Sequence, residues 1–107
     1  GDPRAQYAIL AWRADHWGAE HRAVAYDLAR LRRSFEESGL LEAGGALARA
    51  FLLSNETGLD IAEYFLTHAL HLAHEAEQAE GGIIPDAIWD RADATLNWEA
   101  YSPEGDR

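Results

Sequence analysis

Three side chains in the second half of the chain have the types and spacing of metal ligands. His68, His71 and Glu75 follow one another at intervals of three and four residues. On a helix they share one face, where two imidazoles and a carboxylate converge closely enough to hold a divalent cation. Phe65 and Leu72 belong to the opposite, apolar face of the same helix, so the histidines are expected to meet solvent or a partner protein. The sequence therefore predicts a polar surface stripe, with a metal site as the weaker alternative.

Reactive groups that many enzymes need are missing. The chain contains no cysteine and no lysine, which excludes a thiolate zinc site, a cysteine nucleophile, a P-loop and a Schiff-base lysine. It also lacks the Glu-x-x-His motif of di-iron carboxylate bundles. We therefore predict that the protein is not an enzyme and holds no cofactor.

Arginines supply all the formal positive charge of the side chains. Arg22, Arg30 and Arg33 share one face of a predicted helix and form a basic patch, whereas Arg32 points away from them. Phosphate binding is one use of such a patch. However, two glutamates follow at once, and aromatic residues do not alternate with the arginines as they do in single-strand binders. We predict a solvated face or ion pairs within the chain, and nucleic acid is the less favoured partner.

The net charge of −10 is divided unequally along the 107 residues. Residues 1–35 contain six arginines and four acidic residues, a net charge of +2. Residues 36–107 contain three arginines and fifteen acidic residues, a net charge of −12. Such a surface repels nucleic-acid backbones and anionic membranes and attracts basic proteins. We predict a protein partner with a basic surface. A second copy of the chain is the alternative partner.

No segment approaches the roughly 20 apolar residues that a membrane helix needs. The apolar stretch 46–53 is short and contains Arg49. The sequence predicts a cytoplasmic protein that does not enter a membrane.

Composition favours helices over strands. The chain has 21 alanines and 13 leucines but only one valine, five isoleucines and three threonines. Periodicity then predicts an all-α fold, a compact bundle of four to five antiparallel helices, with stacked helical hairpins as a variant. A single domain is expected over residues 1–101, followed by a flexible tail at 102–107. The predicted helices span residues 4–17, 19–37, 40–54, 59–79 (with Thr57 as its N-cap) and 86–98.

The four tryptophans lie only in the first and last predicted helices. Trp12 and Trp89 fall on apolar stripes and are predicted to be core residues. Trp17 and Trp98 fall off those stripes, where a large aromatic side chain is typical of an interface. The residues predicted to bind a partner are Trp17, Trp98, Tyr64, His68 and His71.

A short internal repeat relates two predicted helices. The pattern Gly39-Leu40-x-x-Ala43 recurs 19 residues later as Gly58-Leu59-x-x-Ala62. Residues 58–75 resemble the second helix of a tetratricopeptide-type repeat at Ala62, Leu66, Ala69 and Leu70. The turn is one residue shorter than in that family, and Ala50, Phe51 and Ser54 occupy the positions of its first-helix motif. The resemblance implies a groove that binds a partner peptide or helix.

Together these features predict a non-enzymatic helical protein-interaction module or small accessory subunit with an acidic surface. One alternative is an acidic inhibitor, similar to an antitoxin, that covers a basic nucleic-acid-binding site. Another is a small subunit of a nucleic-acid-handling assembly, in which the basic patch would meet the phosphate backbone. The last is a metal-dependent helical enzyme that uses His68, His71 and Glu75.

Overall fold

The structure is a computed structural model that describes residues 1–77 and 80–102, residue 80 by its backbone alone. Within these residues an antiparallel hairpin comes first, followed by four α-helices and two short 3₁₀ segments. The strands are β1 (Ala5–Arg13) and β2 (His16–Val24). The helices are α1 (Leu28–Glu37), α2 (Leu40–Thr57), α3 (Ile61–Glu75) and α4 (Asp86–Thr95), and the 3₁₀ segments are Glu80–Gly82 and Trp98–Tyr101.

The prediction of an all-α fold is wrong, because residues 5–24 form strands and the fold is α+β. The first predicted helix and the first part of the second are replaced by β1 and β2. Alanine-rich sequence favours a helix locally, but pairing with a second segment overrides that preference. Trp12 lies opposite Trp17, and their rings meet edge to face with centroids 5.4 Å apart.

A two-residue loop, Ala14-Asp15, joins the strands, since Arg13 is paired with His16. Ala14 has a φ of 57°, in the left-handed region that glycine, asparagine or aspartate usually occupies in such loops. The sequence therefore lacks the glycine that marks most tight hairpins. This is one reason why the sequence predicted a helix over residues 4–17.

The helices pack in chain order, α1 on α2, α2 on α3 and α3 on α4. Their core is centred on α3, and its largest fully buried side chains are Phe65, Leu52 and Ile61. The predicted helices after Gly39 are present with shifted ends. α3 begins after Asp60, whose carboxylate accepts a hydrogen bond from the Glu63 N–H at 3.1 Å, so Asp60 and not Thr57 is its N-cap.

α2 is bent at Gly45, where the backbone leaves the helical region with a φ of 56° and a ψ of −137°. A side chain disfavours this conformation strongly, so the glycine is what permits the bend. The sequence predicted an uninterrupted helix over residues 40–54, so the bend corrects that prediction.

The molecule is elongated, with extents of 57 × 33 × 28 Å and a radius of gyration of 18.0 Å. A compact domain of this length has a radius of gyration near 13 Å. The difference follows from the hairpin, which extends away from the helices. None of the described helices is long and apolar enough to cross a membrane. Except for Ser102, the predicted flexible tail lies outside the described residues.

Candidate functional site

The hairpin exposes an unusual amount of apolar surface. No residue in either strand is buried. Residues paired across two strands point to the same side of the sheet, so the register divides the exposed large side chains between two faces. The tryptophan face contains Leu10, Trp12 and Trp17, and the tyrosine face contains Tyr7, Ile9 and Val24.

Trp17 has 66% of its area exposed, and its predicted place at an interface stays a prediction. Trp12 was predicted to be a core residue, but it is 57% exposed, so that prediction is wrong. The edge-to-face contact between the two rings stabilises the end of the hairpin nearest the loop. Because one broad side of the pair remains open, the same side chains are also available to a partner.

Trp98 lies in the core, which corrects its predicted place at an interface. Only 8% of its area is exposed, and its ring lies 5.4 Å from that of Phe65. The indole Nε1 donates hydrogen bonds to the backbone oxygen and the Oδ1 of Asp93, at 2.9 and 3.0 Å. The guanidinium of Arg49 covers the ring at 4.4 Å from its centroid. A partner therefore does not reach Trp98 without displacing these groups.

Tyr64 is exposed on α3, and its ring lies 5.5 Å from that of Tyr101. The structure places it on the helical surface, as the sequence expected, but on a different part of the molecule from the tryptophan face. The two aromatic groups thus belong to separate surfaces.

The two histidines of the predicted polar surface stripe make separate local contacts. His68 Nε2 lies 2.7 Å from the Thr95 hydroxyl on α4, and His71 Nε2 lies 3.2 Å from Glu75 Oε1. Within the described part of the chain, no group of three histidine, aspartate or glutamate side chains has an arrangement suited to a metal ion. His68 thus links α3 to α4, while His71 and Glu75 form an exposed pair on one helix.

The basic patch is split between two elements. Arg22 lies on β2, where it pairs with Glu20 at 3.1 Å, whereas Arg30 and Arg33 lie on α1. Only the part of the predicted helix from Leu28 onward is helical, so the three arginines do not share one helix face. Arg32 turns inward instead and makes two hydrogen bonds, at 2.9 and 2.6 Å, to the Glu56 carboxylate on α2.

Charge separates the hairpin from the helices. Residues 5–24 contain two arginines and two acidic residues, a net charge of zero. Residues 28–102 contain five arginines and thirteen acidic residues, a net charge of −8. The molecule therefore combines a neutral, apolar hairpin with an acidic helical body.

At the base of the hairpin, Asp2 and Arg4 form a local ion pair. Arg4 donates hydrogen bonds to the Asp2 carboxylate from its backbone N–H and its guanidinium, the shortest at 2.7 Å. These bonds lower the pKa of Asp2 to about 2 and raise that of Arg4. The pair orders the chain just before β1, where the hairpin leaves the helical body.

A cavity of about 820 Å³ lies on the helical body, along α2 from Leu41 to Glu56 and beside Trp98. Its charged lining residues include Arg32, Arg49, Glu56 and Asp93. The first and third form the ion pair between α1 and α2, and the other two contact Trp98. These side chains hold the helices together, so the cavity is less suited to a ligand than the open hairpin is to a partner.

The segment that resembles a tetratricopeptide-type repeat forms α3 and the turn before it. Ala62 and Ala69 are buried, Leu66 is half-buried, and Leu70 is exposed. The implied peptide-binding groove stays a prediction.

Comparison of the chain with protein-family models, with curated proteins and with solved structures finds no match. Functional assignment therefore depends on the geometry and charge of this chain.

Sequence reasoning missed most of the hairpin surface. The signal that marks it is a spacing of two, with Leu10 and Trp12 on one face and Tyr7 and Ile9 on the other. The same residues surround a helical wheel almost completely, which is typical of an element that must dock on something.

Proposed function

We propose that the protein is a non-enzymatic interaction module or small accessory subunit whose hairpin docks on another protein. The observation that carries this proposal is the hairpin itself, which extends from the helices with no buried residue and with large apolar side chains on both faces. Two-stranded hairpins alone in water are marginally stable, so burial against a partner is the usual way to stabilise one. The cytoplasmic location expected from the sequence is part of the same proposal.

The tryptophan face supports a role as the contact surface. Leu10, Trp12 and Trp17 are each more than half exposed and lie side by side across the two strands. Aromatic and large aliphatic side chains dominate the binding energy of protein interfaces when they fill pockets on the partner. The acidic helical body at the base of the hairpin favours a partner that has a basic surface around an apolar pocket.

Binding to a purified partner tests the proposal. A protein captured by the wild-type chain is identified, produced separately, and its dissociation constant is measured against the wild type and two variants. Leu10→Thr keeps a strand-forming residue but removes the apolar side chain, so we expect affinity to fall about tenfold. Leu70→Gln, at another exposed leucine on α3, is the matched control and is expected to change affinity by less than about twofold. Equal affinities for the wild type and Leu10→Thr would contradict the proposal.

The charge of the helical body supports one alternative, an acidic inhibitor that covers a basic nucleic-acid-binding site. Such a partner would be bound mainly through the acidic residues of the helices, and affinity would fall steeply with salt concentration. In that case Leu10→Thr would bind like the wild type, while substitution of Glu63 and Asp90 on α3 and α4 would weaken binding. The affinities of Leu10→Thr and of the variant at Glu63 and Asp90 therefore separate the two functions.

A further inference from the structure

The outer edge of β1 is open and carries no formal charge over most of its length. Within the described residues the sheet has only two strands, so each strand leaves one edge unpaired. From residue 5 to residue 12 the chain contains no charged residue, no proline and no glycine. β2 differs, because it contains Gly18, Glu20 and Arg22. Charges and glycines on an edge strand discourage pairing, so β1 is the edge suited to accept another strand.

The register shows which backbone groups are open. In a hairpin closed by a two-residue loop, the pair beside the loop exchanges hydrogen bonds, and hydrogen-bonded and non-hydrogen-bonded pairs then alternate. Arg13 and His16 form the pair beside the loop. Four residues of β1 therefore direct their N–H and C=O groups away from β2, and these are Gln6, Ala8, Leu10 and Trp12.

We propose that a second copy of this chain pairs with this edge, so that the two β1 strands lie antiparallel at the centre of a four-stranded sheet. The inference rests on the proposed function, and it identifies the first protein that the hairpin binds. A two-fold axis perpendicular to the sheet generates this arrangement and keeps each face on its own side. The tryptophan faces of the two copies then form one continuous surface, which stays available to a further partner.

One register satisfies all the open backbone groups. If Ile9 lies on the two-fold axis, Gln6 pairs with the partner's Trp12 and Ala8 pairs with the partner's Leu10. Both of these are hydrogen-bonded pairs, so every outward N–H and C=O of the four residues is used. Shifting the register by two residues in either direction leaves at least one of them unpaired.

The side chains fit the same register. Large residues face small ones across the new boundary, with Leu10 opposite the partner's Ala8 and Tyr7 opposite the partner's Ala11. Ile9 meets the partner's Ile9 directly, an apolar pair of β-branched side chains. The equivalent pairing of two β2 strands would set Glu20 against the partner's Glu20, and like charges directly opposite each other are destabilising.

Charge at the level of the whole chain also favours this contact. The hairpin is neutral, whereas residues 28–102 have a net charge of −8. Antiparallel pairing places the two acidic bodies at opposite ends of a sheet whose nine-residue strands extend about 30 Å. This separation exceeds the Debye length of about 8 Å at physiological ionic strength, so the bodies repel one another little.

The contact area sets the expected strength. Nine residues of edge and the side chains beside them make an interface smaller than the roughly 800 Å² per partner of a standard complex. We therefore expect a dimer in exchange with monomer, with a dissociation constant of roughly 10 to 100 µM.

Cysteine cross-linking tests the register directly, because the natural chain has no cysteine. Ile9→Cys places two sulfurs at a non-hydrogen-bonded pair, where Cα atoms lie about 4.5 Å apart, within the range that a disulfide spans. Glu20→Cys is the matched control, since Glu20 is the hairpin neighbour of Ile9 on the same face. Its Cα atoms would be about 14 Å apart in the four-stranded sheet, too far for a disulfide.

Under mild oxidation we expect Ile9→Cys to form disulfide-linked dimer at least about tenfold faster than Glu20→Cys. Faster or equal cross-linking of Glu20→Cys would overturn the proposed edge. Sedimentation of the wild type from about 5 to about 500 µM is expected to show conversion of monomer to dimer. A wild type that stays monomeric over this range would overturn the inference.

A pair of lysine variants separates loss of the dimer from loss of the hairpin. Ile9→Lys places a lysine beside Glu20 in its own hairpin, a favourable pair, but opposite another lysine across the two-fold axis. Val24→Lys adds the same charge to the outer strand. We expect Ile9→Lys to raise the dimer dissociation constant at least about tenfold, and Val24→Lys to change it less than about threefold. An unaltered dimer in Ile9→Lys would overturn the inference.

These measurements use only the purified chain, whereas the proposed function is tested with a second protein. A monomeric wild type whose Leu10→Thr variant loses the second protein would reject the dimer and keep the interaction module. A dimeric wild type whose Leu10→Thr variant binds the second protein normally would keep the dimer and reject the interaction module.

Discussion

Individual tryptophans occupy two contrasting environments in this protein. Trp98 is enclosed by Phe65, Arg49 and Asp93, and its Nε1 donates to two oxygens of the aspartate. Trp17 contacts Trp12 and is otherwise open. The same residue type therefore stabilises the helical core at one end of the chain and forms an exposed surface at the other.

The same substitution at both positions distinguishes these roles. In Trp98→Phe the indole donor is lost and the Asp93 oxygens lose their partner, so we expect the free energy of unfolding to fall by about 1–2 kcal/mol. In Trp17→Phe an aromatic contact with Trp12 is retained, and we expect a change within about 0.5 kcal/mol. Urea unfolding followed by circular dichroism of the helices measures both. A larger loss for Trp17→Phe would contradict the structure.

Residue patterns predicted the core of α3 well and the place of Trp98 badly. Phe65, Ala69 and Leu72 are buried opposite the histidines, as the helical periodicity required. Trp98 was placed on the extension of a helix that in fact ends at Thr95, so its direction on the helical wheel had no meaning. A helical wheel gives side-chain directions only for residues that lie within the helix.

At the scale of elements, one side chain connects the two helices at the centre of the fold. Ser54 Oγ on α2 donates to the Ala50 oxygen at 2.9 Å and accepts from the Ala62 N–H at 3.0 Å. Ala62 belongs to the first turn of α3, whose N–H groups have no partner within the helix. The serine thus satisfies one of these donors at a buried residue.

Ser54→Ala is therefore expected to lower the free energy of unfolding by about 1–3 kcal/mol, because a buried N–H loses its acceptor. Ser34→Ala, on the exposed side of α1, is the control and is expected to change stability by less than about 0.5 kcal/mol. Chemical denaturation of the two variants under the same conditions gives the comparison. Equal stabilities would show that Ser54 does not act as this link.

The hairpin was missed at this same scale because strand pairing is not a local property. Its loop, Ala14-Asp15, contains no glycine or asparagine, and alanine accounts for several positions of both strands. The decisive contacts, such as Trp12 with Trp17, depend on two segments meeting in one register. Each helix after residue 28 has its apolar periodicity within its own segment. The sequence therefore predicts each of them without reference to a second segment.

For the whole molecule, the separation of a neutral hairpin from an acidic helical body implies two levels of stability. The helical core contains nearly all the buried side chains, whereas the strands contain none. Regions with few buried contacts open locally without unfolding the rest. The hairpin should therefore open more often than α3, unless another strand covers its edge.

Hydrogen exchange at two protein concentrations tests this difference residue by residue. At about 5 µM, where monomer dominates, the outward amides of Ala8 and Leu10 should exchange nearly as fast as in an unfolded chain, while amides within α3 exchange only through global unfolding. At about 500 µM, pairing of the two β1 strands should slow the outward amides by about three- to sevenfold and leave α3 unchanged. Outward amides already protected at the low concentration would show that the edge is covered within a single chain. Protection that rises equally in α3 would indicate a general effect of concentration, because strand pairing reaches only β1.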